Sequence, residues 1–303
     1  MKMLKTVFLM PALALSLLAT MTFNSCSGTS EEITPVLNST SDSSPPVYNV
    51  DNDGNVSLRT DCDGTEIHWH YEGTEGPDHW AGLCPEWSCG GHAQSPVNII
   101  PPPTRRKAKS LYFYWKHSET HIVNNGHTIQ FNYDQPDDLG TDPNQGSYLK
   151  LNGQKFHLLQ FHFHAASEHT VNGEQYPAEI HFVHKNLATG KLAVIGVFIE
   201  EGAENPFFAD FLEHFPHSEG EYDAADTYNA DALMPEFYNH WLKQHFWYYQ
   251  GSLTTPPCSE IVSWIVMTGK VEASHEQLVE LEDILHENFR PTQSLNSRLV
   301  RAQ

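Results

Sequence analysis

A chain of 303 residues that is 39% apolar and 12% aromatic has enough apolar side chains for a substantial core, which excludes disorder throughout. The formal net charge of −21 argues against nucleic-acid and anionic-membrane partners, because such surfaces repel an acidic protein. We interpret this charge as a solvated surface that aids solubility.

The N-terminus has the layout of a secretory signal peptide over residues 1–26. Lys2 and Lys5 precede an apolar run over residues 7–19, and a polar segment with Cys26 follows. The run is too short and wrongly flanked for a membrane-spanning helix. Cys26 is a candidate lipid-attachment site of a bacterial lipoprotein. The alternative is plain secretion, with Cys26 as an unpaired cysteine.

Residues 27–60 are rich in Ser, Thr, Asp, Asn and Pro and carry few large apolar side chains. Such a segment cannot bury enough surface to order itself, so we expect a disordered tether. Aromatic residues and histidines become dense after it, and no second linker follows. This composition, without a second linker, predicts a single domain over residues 61–303.

Export predicts an oxidising compartment, in which cysteines pair as disulfides. The domain contains four cysteines, and four cysteines allow three pairings that spacing alone cannot distinguish. They are Cys62, Cys84, Cys89 and Cys258.

Short runs with β-strand composition dominate the domain, and helical patterning is scarce. Turn sequences such as Asn152-Gly153 separate several of the runs. The clearest helix covers residues 274–287, where Ser274 can cap the N-terminus. Eight strands are predicted, over residues 111–115, 121–123, 128–133, 148–151, 156–164, 178–184, 192–199 and 261–268. The fold class is therefore α+β and predominantly β, with a mostly antiparallel sheet and peripheral short helices.

The stretch over residues 160–181 contains the residues best suited to chemistry. Residues two apart share one face of a strand, so His162 and His164 project together. Phe161 and Phe163 then point the other way, into the core. By itself the histidine pair is a weak signal, because the chain contains 19 histidines and the pattern arises easily by chance.

A neighbouring predicted strand strengthens the case, since it can bring His181 alongside the pair. Three imidazoles and one open position form the ligand set of a catalytic zinc ion, whereas structural zinc sites are closed by four protein ligands. Glu179 shares a strand face with His181, and Gln160 shares one with His162. Both are therefore candidates to hydrogen bond the ligand rings and fix their orientation.

Eight short motifs follow one another along the domain. They are His-Tyr at 70–71, Gly-Pro-Asp-His-Trp at 76–80, Gln-Ser-Pro-Val-Asn at 94–98, Asn-Asn-Gly-His at 124–127, Gln-Phe-His-Phe-His at 160–164, Ser-Glu-His at 167–169, Ala-Glu-Ile-His at 178–181 and Gly-Ser-Leu-Thr-Thr-Pro-Pro-Cys-Ser-Glu at 251–260. Through them the chain from 69 to 298 resembles the α-class carbonic anhydrases of the exported bacterial type. The resemblance implies that family's fold, with a large mixed twisted sheet, and the reversible hydration of CO2 to bicarbonate and a proton.

The resemblance implies a zinc cofactor held by His162, His164 and His181, with water or hydroxide in the fourth position. It makes Thr254 the residue whose hydroxyl donates to Glu168 and accepts from the zinc-bound hydroxide. An ionised Glu168 only accepts hydrogen bonds and so fixes which way that hydroxyl points. Zinc is needed because it lowers the pKa of bound water from about 15.7 to about 7, a value established for this enzyme family.

The resemblance also implies a path for the proton. His127 corresponds to the family's proton shuttle, and an imidazole with a pKa of about 6.5 suits that task. Without the resemblance, His127 would be interpreted as a surface histidine on a turn. Tyr71, Asn125 and Gln130 would line the hydrophilic wall and order the water molecules that carry the proton.

A dry pocket for uncharged CO2 and two disulfides complete the implied site. The pocket residues are Val183, Val194, Leu253, Val262, Trp264 and Thr255, most of which would otherwise be interpreted as ordinary sheet core. Cys89 and Cys258 match the disulfide of the exported members, which would brace the loop that carries Thr254. Cys62 and Cys84 would form the second pair.

The segment between Pro235 and Gly251 departs from the family, because it is several residues longer than the family norm.

Two alternative functions are considered beside CO2 hydration: a non-catalytic carbonic anhydrase-like binding module and a zinc esterase. The intact histidines, Thr254 and Glu168 argue against the binding module. We expect CO2 and bicarbonate as partners, no nucleic acid, and a location in the periplasm or at the cell surface, with Cys26 as the candidate anchor to a bacterial membrane. The oligomeric state is open, with a dimer as one option.

Overall fold

The computed structural model describes residues 48–50, 56–58, 61–102, 110–135, 146–235 and 245–303. All of these residues belong to one unit, Pro45–Gln303. The predicted signal peptide, Cys26 and most of the predicted tether lie outside the described residues. None of the described helices has the length and apolar composition of a membrane span.

Strands far outnumber helices in the described chain. The strands are β1 Tyr48–Val50, β2 Val56–Leu58, β3 Asp61–Cys62, β4 Thr65–Glu66, β5 Asn98–Ile99, β6 Leu111–Tyr114, β7 Ser118–Asn124, β8 Ile129–Asn132, β9 Tyr148–Leu151, β10 Gln154–His164, β11 Thr170–Val171, β12 Glu174–Gln175, β13 Ala178–Lys185, β14 Leu192–Glu201, β15 Gly220–Tyr228, β16 Phe246–Gly251, β17 Val262–Met267, β18 Val271–Ala273 and β19 Arg301–Ala302. The α-helices are α1 Trp80–Leu83, α2 Pro206–Leu212 and α3 His275–Leu285, and short 3-10 helices cover Gly73–Glu75 and Ala230–Leu233.

Twelve strands form one large sheet, in the order β15-β7-β8-β10-β13-β14-β17-β16-β19. Strand β18 pairs with β14, and β9 joins β6 to β10. Within this sheet β17 and β18 run parallel to β14, and the other pairings are antiparallel. The predicted α+β class with a large, mixed, mostly antiparallel sheet is confirmed.

Alternation along β10 gives the sheet two different faces. Phe161 and Phe163 are fully buried in an aromatic cluster on one face, together with Phe131 and Phe182. Gln160, His162 and His164 line a cavity on the other side. The sequence prediction for these two faces is confirmed, because a strand with period two must separate them.

All eight predicted strands are present, with ends that differ by a few residues. Strand β15 was not predicted, because its residues are mostly exposed and its sequence shows no apolar alternation. Strand β16 was not predicted either, and it occupies the last part of the long segment between Pro235 and Gly251. Residues 236–244 of that segment lie outside the described ranges.

Helix α3 begins with a capping box. The Ser274 side chain accepts a hydrogen bond from the Gln277 backbone, and the Gln277 side chain accepts one from the Ser274 backbone. This reciprocal pair satisfies two of the backbone donors that a helix start leaves open. The buried Leu281 and Leu285 follow at helical spacing, so the predicted helix is confirmed and ends two residues early.

Both disulfides that the resemblance implies are present. Cys89 pairs with Cys258 over a sequence separation of 169, and Cys62 pairs with Cys84 over a separation of 22. The pairing settles the choice that spacing left open. In the chain-entropy picture, the bond that closes the longer loop restricts the unfolded chain more.

We predict that replacing both Cys89 and Cys258 by Ser costs more stability than replacing both Cys62 and Cys84. The logarithmic dependence on loop length gives a difference of about 2 kcal/mol in the free energy of unfolding. Chemical denaturation of the two double variants, followed by tryptophan fluorescence, measures it. Equal losses would contradict the chain-entropy account of these bonds.

His184 is a fully buried histidine in the fold. Its Nε2 accepts a hydrogen bond from the Trp115 indole over 3.1 Å, and its Nδ1 donates to the Phe182 carbonyl over 3.0 Å. Burial lowers the pKa of His184 from 6.5 to about 3, although the Phe182 contact opposes the shift. The native state therefore keeps this ring neutral.

We predict that His184 contributes to acid sensitivity. Above pH 6.5 the ring is neutral in both states, but below it the unfolded chain binds a proton that the native chain does not bind until about pH 3. Across this window wild type should lose up to about 1.4 kcal/mol per pH unit more than His184→Gln, which keeps an acceptor for Trp115. Urea unfolding at several pH values measures the slopes, and parallel slopes would refute the assignment.

Candidate active site

The register of β10 against β13 places His181 directly opposite His162. His164 lies two residues further along the same face of β10. The three ring centroids are 4.6, 5.0 and 5.3 Å apart, and one nitrogen from each ring lies within 4.8 Å of the others. The sequence prediction of three converging imidazoles therefore agrees with the geometry.

Two of the rings are oriented through their Nδ1 atoms. Nδ1 of His162 donates to Oε1 of Gln160 over 2.8 Å, and Nδ1 of His164 donates to the backbone carbonyl of Asn288 over 2.7 Å. A neutral imidazole that carries its proton on Nδ1 presents a lone pair on Nε2. Both rings thus direct an unprotonated Nε2 toward the shared centre.

Glu179 orients the third ring, that of His181, through Nε2 rather than Nδ1. Its Oε1 accepts from Nε2 of His181 over 3.0 Å and from Nδ1 of His169 over 2.8 Å, while Oε2 accepts backbone N–H groups of Glu168 and His169. Burial alone would raise the pKa of Glu179, but the two histidines outweigh it and hold that pKa well below the usual value. His181 therefore presents Nδ1 to the centre.

The group formed by His169, Glu179 and His181 is also compact enough to hold a metal ion. Its carboxylate oxygens, however, already accept four hydrogen bonds. The other nitrogen of His169 contacts the Tyr249 hydroxyl at 2.6 Å. The atoms of this group are in use, so it holds the site in place rather than forming a second one.

The electrostatics of His162 and His164 favour neutral rings. Burial, followed by the mutual influence of the other rings, holds the pKa of His162 well below 6.5. Burial also lowers the pKa of His164, although Glu168 opposes the shift. Nε2 of His164 is buried and has no hydrogen-bond partner among the described residues. Unprotonated inner nitrogens on these two rings, one of them unsatisfied, fit a bound divalent metal ion.

Glu168 lies beside this centre. Its Oε1 accepts the Arg290 backbone N–H over 2.9 Å, and its Oε2 lies 3.5 Å from Nε2 of His164 and 3.7 Å from Nδ1 of His181. Oε2 has no hydrogen-bond partner within the described chain, so the hydrogen bond expected from Thr254 is not formed there. Thr254 itself lines the cavity.

The loop that carries Thr254 is held at both ends of its proline pair. The backbone N–H of Cys258 donates to the Thr255 carbonyl over 2.9 Å, and Ser88 donates to the Pro257 carbonyl over 2.8 Å. The disulfide joins Cys258 to Cys89 in the same place. These contacts agree with the brace that the resemblance implies.

A cavity of about 240 Å³ opens above the three histidines. One wall is apolar and the other is polar. The apolar wall comprises Val183, Val194, Leu253 and Trp264, with Thr255 beside them, and the polar wall comprises Tyr71, Asn125, Thr128, Gln130 and Gln160. Val262, which the resemblance places in the pocket, is fully buried in the cluster behind Trp264 and does not line the cavity.

His127 lies at the rim of the cavity and stacks on Trp69. The two ring centroids are 3.8 Å apart and the planes differ by 10°. The backbone N–H of His127 donates to the Asn125 side chain over 3.0 Å, which fixes the turn. Burial and, to a lesser extent, His70 and His68 lower the pKa of His127 to about 4. In this position the pKa of His127 is therefore lower than the value of about 6.5 that the resemblance led us to expect.

Three residues of the site were not predicted as such from the sequence. Asn288 holds His164, and Trp69 stacks on His127. Arg290 is buried and donates to the carbonyl groups of Ser95 and Cys89. Asn288 and Arg290 belong to none of the motifs, whereas Trp69 directly precedes one and could have been found there.

Comparisons with known proteins agree with this geometry. The family model of the eukaryotic-type carbonic anhydrases matches residues 75–303. A carbonic anhydrase of Nostoc sp. is 39% identical over 242 residues, covering 77% of this chain and 85% of the relative. One of Pectobacterium atrosepticum is 39% identical over 238 residues, covering 77% and 90%.

Solved structures give the same result. The α-carbonic anhydrase of Thermovibrio ammonificans, in complex with the inhibitor sulfanilamide, matches with a TM-score of 0.69 and 38% identity, covering 78% of this chain and 99% of that one. The α-carbonic anhydrase of Photobacterium profundum matches with a TM-score of 0.68 and 34% identity, covering 77% and 100%. The chain therefore belongs to the eukaryotic-type, or α-class, carbonic anhydrases, a family of enzymes.

Proposed function

We propose that the chain catalyses the reversible hydration of CO2 to bicarbonate and a proton with a zinc ion held by His162, His164 and His181. The observation that carries this proposal is the convergence of one nitrogen from each ring within 4.8 Å of the others, while the opposite nitrogen of each ring is hydrogen bonded. When bound, zinc would lower the pKa of a coordinated water from about 15.7 to about 7 and so supply hydroxide near neutral pH.

The apolar wall would hold the substrate. CO2 is linear and uncharged, so a pocket of aliphatic and indole groups offers it a place from which water is excluded. Val183, Val194 and Trp264 are almost fully buried and rigidly packed in the sheet. Leu253 and Thr255 lie on the braced loop, so this wall is set before the substrate arrives.

We propose that Thr254 and Glu168 together orient the attacking group. Glu168 is buried and its Oε2 accepts no hydrogen bond from the described residues, so it offers an acceptor for a hydroxyl donor. A Thr254 hydroxyl that donates to Glu168 must use its lone pairs to accept from the attacking group. Arg290 supports this arrangement by holding Oε1.

His127 would carry the proton between the cavity and solvent, with Tyr71, Asn125 and Gln130 along the polar wall. In the stacked position, where its pKa is about 4, accepting a proton from a group with a pKa of about 7 costs about 4 kcal/mol. Turned away from Trp69 into the cavity, the ring would contact more water and bind a proton more readily. We propose that the stacked position is the one that releases the proton.

The compartment follows in part from the disulfides, which fit an exported protein. We propose the periplasm or cell surface, with Cys26 as the lipid-attachment site. That residue and the signal peptide lie outside the described residues, so the anchor rests on the sequence.

We predict that the full-length chain binds one zinc ion and accelerates CO2 hydration. His164→Ala should lose both properties, because it removes the buried nitrogen that lacks a partner. His79→Ala, which changes an exposed histidine outside the cavity, should lose neither. Metal analysis and stopped-flow hydration assays measure the two properties separately. Zinc-loaded protein with no rate above buffer would favour a non-catalytic binding module instead.

We predict that His127→Ala lowers the maximal rate in dilute buffer by about tenfold, because proton release then limits turnover. The ratio kcat/KM should change little, since it reports the conversion of CO2 to bicarbonate, which precedes the release of the proton. Imidazole added to the assay should restore the maximal rate by carrying the proton itself. A maximal rate that does not change in dilute buffer would exclude His127 from proton transfer.

A further inference from the structure

His70 faces His127 at the rim of the cavity. The two ring centroids are 6.2 Å apart, at an angle of 53°. The His70 side chain is 61% exposed, whereas His127 is half-buried against Trp69. One ring of the pair therefore lies in the cavity wall and the other lies in contact with solvent.

The protein fixes the backbone of His70. Its N–H donates to the Glu75 carbonyl over 3.0 Å, and its carbonyl accepts from the indole of the fully buried Trp80 over 3.0 Å. The Glu75 carboxylate lies 3.7 Å from Nε2 of His70. His70 therefore has a fixed backbone, a carboxylate beside its ring and the His127 ring opposite it.

We propose that His70 is a second proton-transfer residue, which receives the proton from His127 through a bridging water and passes it to buffer. This proposal rests on the proposed function. His127 takes up one proton and gives one to the water, the water gives one to His70, and His70 gives one to a buffer base. Both rings return to the neutral state, so no other reactant is needed.

Neighbouring groups do not offer an equivalent route. His68 is exposed and also lowers the pKa of His127, but it makes no ring contact with His127 among the described residues. Burial, followed by the charge of Glu168, raises the pKa of Tyr71 well above 10, so its hydroxyl keeps its proton at neutral pH. His70 is therefore the acceptor that the geometry favours.

The electrostatic influence of His70 sets the order of events. A positive charge on His70 disfavours a proton on His127. While His70 is protonated, His127 is a poor acceptor for the next proton. His70 must therefore release its proton to buffer before the next turnover, which makes this step sensitive to buffer concentration.

The test compares His70→Ala with His68→Ala in the zinc-loaded full-length chain. His70→Ala should lower the maximal rate of CO2 hydration severalfold in dilute buffer, leave kcat/KM unchanged, and recover when imidazole is added. His68→Ala should retain the wild-type rate, although it too removes an exposed histidine. Glu75→Gln should give a smaller loss than His70→Ala, because the relay ring remains.

An equilibrium measurement complements the rates. In NMR titrations His127 should take up its proton at a higher pH in His70→Ala than in wild type, because a nearby positive charge is gone. An unchanged His127 titration, equal loss in His68→Ala, or a parallel fall in kcat/KM would overturn the relay. A wild type without hydration activity contradicts the proposed function, whereas an active wild type and an equally active His70→Ala contradict the relay alone.

Discussion

The antiparallel register between β10 and β13 is the constraint on which the site depends. It places His181 opposite His162 and Glu179 opposite His164, so a ligand and the carboxylate that orients it come from one strand. A shift of one residue would turn His181 into the aromatic core and bring Phe182 to the cavity. The aromatic packing on the far face therefore fixes the positions of the imidazoles. The core and the site therefore lie on opposite faces of the same pair of strands.

Buried charge gives the site a second layer of support. Glu179 is saturated by four donors, and Glu168 keeps one oxygen open toward the ligand rings. Arg290 holds the other oxygen through its backbone and ties the Cys89 loop through its guanidinium group. Removing one partner from such a network commonly costs about 3–5 kcal/mol, because the other is left buried and unpaired. Losing a hydrogen bond within this network is therefore unfavourable, and the ligand rings keep their orientation before any metal binds.

The sequence predicted the parts of this arrangement that depend on local periodicity. Residues two apart on β10 had to share a face, so the alternation alone was enough to place His162 beside His164. Strand β15 was not predicted, because it is largely exposed and its sequence does not alternate between apolar and polar residues. Asn288 acts on His164 across 124 residues, and no local pattern encodes such a contact. The low pKa of His127 likewise depends on its burial at the cavity rim, which composition and spacing cannot show.

The most direct test of the central claim is a crystal structure of the zinc-loaded chain with anomalous data at the zinc absorption edge. We expect one strong peak about 2.0–2.1 Å from Nε2 of His162, Nε2 of His164 and Nδ1 of His181. The outer nitrogens should keep their partners in that structure. A peak at His169 and Glu179, or coordination through the outer nitrogens, would contradict the three-histidine centre.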